Sequence, residues 1–178
     1  MRIVILLIVI VILLLSGACI RAQETFLLFD FESDEELDQF EWKCKTLFSL
    51  SNANNSHGEK SLKIELYPSQ YPGILALIRH KNWHNYRIFA FDVFNPMGKD
   101  LEVLLRIDDM PNIKDDAERF NLNLIVHPGM NHLRIPLALI RTRSTQRPLN
   151  LSSVLQLALF MDSPKEKVVF YTDYWRLE

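Results

Sequence analysis

The sequence has little cysteine, and the two cysteines it has cannot build a disulfide framework. Only Cys19 and Cys44 occur among 178 residues. Cys19 lies in a hydrophobic N-terminal segment, so Cys44 has no intrachain partner if that segment is removed or acylated. A domain without disulfides must draw its stability from the burial of a hydrophobic core.

A large excess of charge of one sign is also lacking. Lys and Arg number 20 and Asp and Glu number 22, which gives a formal net charge of −2 and a pI of about 6.2. A protein that binds nucleic acid needs a basic face to meet the phosphates. The composition therefore predicts no nucleic-acid partner.

Long amphipathic helices are absent from the pattern after the N-terminal segment. No apolar repeat of helical period extends over about ten residues there, and the crossover helices of α/β folds need about that length. This absence argues against a parallel sheet wrapped by helices.

The familiar catalytic patterns are lacking as well. The five histidines have no zinc-ligand spacing, and neither a Gly-x-Ser-x-Gly elbow nor a phosphate-binding loop occurs. The pairs Asp108-Asp109 and Asp115-Asp116 lie in polar loops. Adjacent acids of this kind are typically solvated, whereas a glycosidase needs two carboxyls about 5 to 9 Å apart across a cleft. The sequence predicts no catalytic residues and no enzyme.

The N-terminal segment, residues 1–22, has the pattern of an export signal. A basic Met1-Arg2 start is followed by an apolar run from Ile3 to Leu15 and then by small residues. This order is typical of a secretory signal peptide, with cleavage after Ala18 or Ala22.

Two alternatives remain open for this segment. In a lipoprotein signal Cys19 is the acylated residue, although Ser16 stands where such signals usually have leucine. In an uncleaved anchor, Ile3 to Ile20 is long enough to cross about 30 Å of hydrocarbon. All three interpretations place the remaining domain, residues 24–178, outside the cytoplasm, and two of them associate it with a membrane.

Beyond residue 24 the hydrophobic pattern has period two. Apolar residues alternate with polar ones in short runs bounded by Asn, Gly, Pro or Asp, which is typical of an antiparallel β-sandwich or barrel. One run, Phe40 to Phe48, predicts a single strand with Cys44 on its inner face. The other runs are Leu62–Leu66, Leu101–Ile107, Phe120–Val126, Leu133–Leu137, Leu155–Met161 and Val168–Leu177.

Helical signals are confined to two short segments. Ser33 and Glu36 have the spacing of a capping box, which predicts one or two helical turns ending near Phe40. A second short turn is expected between Asn150 and Val154.

Five motifs in series then resemble one family. The motifs are Phe29-Asp30-Phe31-Glu32, Gly58-Glu59-Lys60-Ser61-Leu62, Trp83 to Pro96, Pro128-Gly129-Met130-Asn131 with Ile135-Pro136-Leu137, and Phe170 to Leu177. In this order they resemble the galactose-binding-like jelly rolls of carbohydrate-binding modules, over nearly all of residues 26–178. The resemblance implies an all-β antiparallel jelly roll and, less specifically, glycan binding.

The resemblance also implies a structural Ca²⁺ site. The matching ligands are the carboxylates of Glu32 and Asp173 and main-chain oxygens near Gly58 and Lys60, a donor set that suits Ca²⁺. Alternation places Asp173 on one core-side face with Val169, Tyr171 and Trp175, where an unpaired carboxylate is costly. The alternative is an Asp at the rim that accepts hydrogen bonds from backbone amides.

Candidate sugar-binding residues are aromatic rings and planar polar groups, because sugars stack on rings and exchange hydrogen bonds with such groups. Arg106, Asn121 and Asn123 are expected on outward strand faces, where they line one surface if their strands are neighbours. The alternative is an ordinary solvated sheet face, and Trp83 also matches a framework position. The full set is Tyr71, His80, Trp83, His84, Arg106, Asp108, Asn121, Asn123 and, additionally, His132.

Arg141, Arg143 and Arg147 form a basic loop, which is either solvated or a contact for an acidic glycan or a lipid headgroup. Two functions therefore remain open. The first is an exported, non-catalytic glycan-binding module. The second is a structural or protein-docking sandwich of the cell envelope.

Overall fold

The computed structural model describes residues 25–111, 113 and 115–178. The predicted export segment, residues 1–22 with the lipidation candidate Cys19, lies outside these residues and stays a prediction. Within the described part, no helix combines the length and the apolar character that crossing a bilayer requires.

The described residues form eleven strands joined by loops and three short 3-10 helices. The strands are β1 Phe26–Phe29, β2 Phe40–Lys43, β3 Thr46–Ser51, β4 Ser61–Leu66, β5 Gly73–Leu77, β6 Ile88–Asn95, β7 Leu101–Asp108, β8 Phe120–Val126, β9 Gly129–Pro136, β10 Gln156–Phe160 and β11 Val168–Leu177. The 3-10 helices are Asp34–Gln39, Asp116–Glu118 and Leu137–Leu139.

The strands build two antiparallel sheets. One has five strands in the order β2-β5-β10-β7-β8. The other has six, in the order β3-β4-β11-β6-β9, with β1 paired to the end of β11. The two sheets face each other across a shared core, so the predicted all-β antiparallel jelly-roll sandwich is confirmed.

The core follows the alternation that the sequence predicted. In β7 the side chains of Leu101, Val103, Leu105 and Ile107 are all buried, while Glu102 between them is exposed. Phe29, Phe31 and Phe40 surround the fully buried indole of Trp175, and their ring centroids lie 5.8 to 6.2 Å from it. Burial of large aromatic side chains is the largest single contribution to a core of this size.

The predicted single strand from Phe40 to Phe48 is wrong. It is broken at Cys44, whose φ is 55°, and the chain crosses there from β2 in the five-stranded sheet to β3 in the six-stranded sheet. Cys44 is exposed, and its thiol donates to the carbonyl of Gln70 at 2.8 Å. Alternation continues across this corner in the sequence, so the pattern alone could not reveal the change of sheet.

A bulge in β11 overturns the predicted face of Asp173. The register with β6 shifts between Asp173 and Arg176, and Tyr174 has a φ of 51°. Trp175 therefore points into the core, whereas Asp173 lies opposite Asp92 on the outward side of the sheet. A bulge inserts one residue and so reverses the alternation beyond it.

The helical turns before Phe40 and the turn after Asn150 are confirmed, with one change in the cap, whereas the 3-10 helices Asp116–Glu118 and Leu137–Leu139 were not predicted. Ser33 Oγ accepts from the amide of Glu35 at 3.1 Å, as the start of a helix requires. Glu36 reaches further back than a capping box predicts, and accepts from the amide of Phe31 at 2.6 Å. The turn after Asn150 closes with the amide of Ser153 donating to the Asn150 carbonyl at 3.0 Å.

Candidate ligand-binding cleft

The outward face of the five-stranded sheet forms a broad cleft of about 1110 Å³. Residues that lie directly opposite each other in an antiparallel pair of strands point to the same face of the sheet. The strand register therefore shows which residues form rows across this face. One row runs Leu75, Ala158, Arg106, Asn121 across β5, β10, β7 and β8. The next runs Gly73, Phe160, Leu104, Asn123.

The first half of each row is an apolar strip. Leu75, Ala158 and Phe160 are largely buried and pack with Leu104 into a small hydrophobic cluster separate from the main core. Gly73 permits this packing, because a Cβ at that position would lie 2.4 Å from Cβ of Phe160 and 2.3 Å from a backbone oxygen. Leu75, Leu104, Ala158 and Phe160 all line the floor of the cleft.

The end of each row on β8 is polar, and so is Arg106 on β7 in the first row. Arg106 Nε donates to Asn121 Oδ1 at 3.0 Å, and the guanidinium carbon lies 5.0 Å from the ring centroid of Phe160. This pair of contacts fixes the plane of the guanidinium over the apolar strip. Asn123, exposed beside it, offers an amide donor and acceptor.

Tyr71 stands at the rim of the cleft, 47% exposed, with its ring edge-on to Phe160 at 6.2 Å between centroids. Its backbone has a φ of 57°, in the loop that precedes β5. Among the described residues that line the cleft, no other aromatic side chain is exposed to this degree. Polar groups must therefore supply much of any binding energy.

A third row carries Asp108 and Gln156, which connect the cleft to a smaller depression of about 610 Å³. Gln156 Nε2 donates to Asp108 Oδ2 at 2.5 Å. Asp108 Oδ1 and Arg119 Nε lie 4.0 Å apart, and both are buried without a hydrogen-bond partner among the described residues. One hydroxyl group, which can donate and accept at once, would satisfy both atoms.

The loop 139–147 forms the wall of the cleft next to β8. The amides of Arg143 and Ser144 donate to the carbonyl of Ala117 at 2.9 and 3.1 Å, and Thr142 is fully buried. These contacts dock the loop on the segment before β8, so the wall is preorganised.

The base of this wall is an ion pair that the sequence did not single out. Arg147 contacts both oxygens of the fully buried Asp109 carboxylate, at 2.7 and 3.2 Å, and the amide of Asn150 adds a third bond at 2.7 Å. Burial is the largest influence and opposes ionisation of Asp109. The bonds from Arg147 and Asn150 together outweigh it, and hold the pKa of Asp109 below its usual value. The prediction that Asp108 and Asp109 are solvated loop residues is wrong, because Asp108 ends β7 and both residues are buried.

The structure thus brings together five of the predicted ligand-binding residues. Tyr71, Arg106, Asp108, Asn121 and Asn123 all line the cleft. Their part in binding stays a prediction.

The remaining candidates lie elsewhere. Trp83 is fully buried in the core and its indole donates to the His80 carbonyl at 2.8 Å, so its ring cannot meet a ligand. His80 stacks on Phe26 at 3.9 Å between ring centroids. His84 is exposed on the same loop, and His132 lies on the six-stranded sheet, 2.9 Å from Asp92. Sequence spacing cannot tell which loops reach one face.

Three of the residues predicted to hold Ca²⁺, Glu32, Gly58 and Lys60, lie together, but amide groups use Glu32 Oε1. Glu32 Oε1 accepts from the amides of Glu59 and Lys60, both at 2.8 Å, and the Lys60 ammonium donates to the Glu32 carbonyl at 3.1 Å. Gly58, with a φ of 61°, passes so close that a Cβ there would lie 2.3 Å from Glu32 Oε1.

Asp173 is satisfied in the same way. Its Oδ2 accepts from the amides of Ser56 and His57 at 2.7 and 2.9 Å, and its Oδ1 accepts from the amide of Tyr174 at 2.6 Å. Burial, the largest influence, raises the pKa of Asp173 in spite of these bonds. Among the described residues no group of three acidic, histidine or cysteine side chains converges on one point. Amide groups and the Lys60 ammonium already donate to oxygens of Glu32 and Asp173, so Ca²⁺ would have to displace these donors to bind here.

Comparison with known proteins gives matches in structure and none in sequence. No protein-family model matches the chain, and no curated protein matches it. A family 11 carbohydrate-binding module from Clostridium thermocellum, solved with a β-1,3-1,4-mixed-linked tetrasaccharide, superposes with a TM-score of 0.65 at 14% identity, over 86% of this chain and 94% of that one.

Two further structures extend the likeness. The CBM22-1 xylan-binding domain of a Paenibacillus barcinonensis protein matches with a TM-score of 0.57 at 14% identity, over 88% of this chain and 95% of that one. An exo-β-agarase matches with a TM-score of 0.69 at 14% identity, over 86% of this chain but only 24% of the agarase. At such identities the likeness establishes the fold alone: the chain adopts the β-sandwich jelly roll of carbohydrate-binding modules.

Proposed function

We propose that this protein is a non-catalytic glycan-binding module that holds a polysaccharide in the cleft on its five-stranded sheet. The observation that carries the proposal is the composition of the cleft floor. An apolar strip lies beside planar hydrogen-bonding side chains fixed in position, which is the surface that a sugar ring with its C–H face and hydroxyl rim requires.

The third row of the cleft supports the proposal. Asp108 Oδ1 and Arg119 Nε have unused hydrogen-bonding capacity, and leaving buried polar groups unpaired costs free energy. Arg119 is 20% exposed at its side chain. A small displacement of Arg119 would admit a sugar hydroxyl between the two atoms, and binding would recover the cost of their desolvation.

A binding role fits the cleft better than hydrolysis. Asp108 and Asp116 lie on one side of the cleft, 4.0 and 3.6 Å from the same Arg119 Nε. A glycosidase holds its two carboxyls on opposite sides of the scissile bond. The solved modules of this fold superpose over nearly their whole length, whereas the agarase match covers a minor part of a longer enzyme.

Export through the N-terminal segment belongs to the same proposal. A glycan-binding module meets polysaccharides outside the cytoplasm, and the run from Ile3 to Leu15 has the pattern of an export signal. Mass spectrometry of the mature chain distinguishes cleavage after Ala18 or Ala22 from acylation of Cys19 and from retention of the whole segment.

The binding proposal is tested by affinity electrophoresis of residues 24–178 in gels that contain single polysaccharides, neutral and anionic. We expect at least one polysaccharide to retard the protein. The variants Tyr71→Ala and Asn123→Ala should migrate faster in that gel, because they remove the rim aromatic and an exposed amide. Asn52→Ala, an exposed asparagine outside the cleft, is the matched control and should migrate as wild type.

If no polysaccharide retards the protein, glycan binding is contradicted and the structural or docking function takes its place. Equal retardation of all three variants and the wild type would contradict the assignment of the cleft.

A further inference from the structure

The cleft carries more positive than negative charge, although the whole chain is slightly acidic. Among the described residues that line it, five have cationic side chains and three have carboxylates, whereas the formal net charge of the whole chain is −2. The cations are Lys43, Arg106, Arg119, Arg141 and Arg143, and the carboxylates are Asp108, Asp116 and Asp162. The excess is therefore local to this surface.

Two of the cations belong to the preorganised wall and lack acidic partners. Among the described residues, neither Arg141 nor Arg143 has a carboxylate within ion-pairing distance. Arg141 donates to the carbonyls of Ala138 and Ile140, at 3.0 and 2.7 Å. For the exposed guanidinium of Arg143, no hydrogen bond occurs within the described part of the chain.

The third arginine of this set, Arg106, lies on the floor in a poorly compensated environment. Burial and, secondly, the charge of Arg119 lower the pKa of Arg106 from its usual value. Its nearest carboxylate is Asp116 at 4.0 Å, and that side chain is 80% exposed. An anion in the cleft would relieve the repulsion between the two arginines.

The scarcity of aromatic platforms points the same way. Tyr71 is the exposed ring of the cleft, and Phe160 is 8% exposed. A neutral chain would have to bind by stacking on little aromatic area, whereas guanidinium groups form strong, planar, paired hydrogen bonds with carboxylates and sulfates.

We propose that the cleft selects an anionic polysaccharide, with Arg141 and Arg143 on the wall and Arg106 on the floor binding its charged groups. The charged group is a carboxylate, as in a polyuronate, or a sulfate ester, because guanidinium groups pair with both. This inference rests on the proposed glycan binding and narrows it to one chemical class.

Isothermal titration of residues 24–178 tests the inference with four probes: a polyuronate, a sulfated galactan, the same galactan after desulfation, and a neutral mixed-linked β-glucan. We expect binding to the polyuronate or to the sulfated galactan, and the one that binds identifies the source of the charge. Raising the salt from about 0.05 to about 0.5 M should weaken that binding at least severalfold, since screening shortens the reach of exposed charges.

Single substitutions locate the contact. Arg143→Ala should weaken binding about tenfold, which is the size expected when one charge-assisted hydrogen-bonded contact is lost. Arg141→Ala should weaken it to a similar or smaller extent. Arg87→Ala is the matched control, an exposed arginine outside the cleft, and should leave affinity unchanged.

The outcomes separate this inference from the function on which it rests. Binding to the neutral β-glucan or the desulfated galactan with equal affinity, and without salt dependence, overturns the anionic selectivity but keeps glycan binding. Polyglutamate and anionic lipid vesicles are titrated as controls for charge alone. Equal binding to either overturns the inference too, because the arginines would then bind anions whether or not a sugar carries them. Binding to none of the polysaccharides overturns both.

Discussion

The ion pair beneath the cleft wall gives the sharpest stability prediction. Arg147→Ala removes the two hydrogen bonds that neutralise Asp109, a carboxylate with no exposed side-chain surface. Removing one partner of a fully buried pair costs about 3 to 5 kcal/mol. Because Arg147 is itself 31% exposed, we expect about 2 to 4 kcal/mol from that range. The melting temperature of a domain of this size should then fall by about 5 to 15 °C.

The pH dependence follows from the lowered pKa of Asp109. A carboxylate with a depressed pKa in the folded protein contributes stability above its unfolded-state pKa of 3.8, and this stability is lost as the pH falls through the folded-state pKa. The difference between Arg147→Ala and wild type should therefore be greatest near neutral pH and shrink below pH 3.8. Urea unfolding at several pH values measures it.

The double variant Asp109→Asn/Arg147→Ala checks the mechanism. The side-chain amide introduced at position 109 carries no charge and so needs no counter-ion. At neutral pH the double variant should therefore be more stable than Arg147→Ala alone. Arg87→Ala is the control for loss of an exposed arginine. A loss of less than about 0.5 kcal/mol in Arg147→Ala, or a double variant no better than the single one, would refute the reasoning.

Three further predictions concern the sandwich. Trp175→Ala should lose about 3 to 5 kcal/mol in urea unfolding because its indole is fully buried, while Trp42→Ala, 68% exposed, should stay within about 0.5 kcal/mol of wild type; similar losses would contradict the assigned core. Gly58→Ala should cost about 1 to 3 kcal/mol, since a side chain at a φ of 61° is strained and its Cβ would displace Glu32 Oε1; an unchanged midpoint of unfolding would argue against this contact. Calcium and a chelator should leave the melting temperature unchanged, because the amide groups and the ammonium of Lys60 already use the oxygens of Glu32; a rise with Ca²⁺ would show that the ion displaces Lys60.

The fold could be predicted from the sequence to the extent that it depends on alternation. The runs in β4, β7 and β8 have one inward face each, and the burial of Ile64, Val103 and Val126 follows from their positions alone. The prediction failed at the Cys44 corner and at the Tyr174 bulge. At both points a single residue with positive φ redirects the chain. Neither cysteine nor tyrosine favours positive φ, so the sequence does not indicate that conformation.

The cleft was predictable only in part, for a related reason. Alternation of inward and outward positions was enough to place Arg106, Asn121 and Asn123 on outward faces of their strands. That they lie side by side depends on the register in which β7 pairs with β8, which the sequence does not show. The prediction for Trp83 was wrong because the sequence alone does not distinguish an aromatic residue in the core from one in a binding site. The sequence could not show that the loop 139–147 forms a wall of the cleft. Its position depends on hydrogen bonds to Asp109 and Ala117, which are distant from it in sequence.

Amide chemical-shift mapping with the best-binding polysaccharide shows whether a glycan occupies the outward face of the five-stranded sheet. We expect shifts of the amide signals of Arg106, Asn121, Phe160 and Arg143, and none at Tyr171 and His132 on the opposite sheet. Shifts confined to the six-stranded sheet, or spread evenly over the protein, would contradict binding at this face.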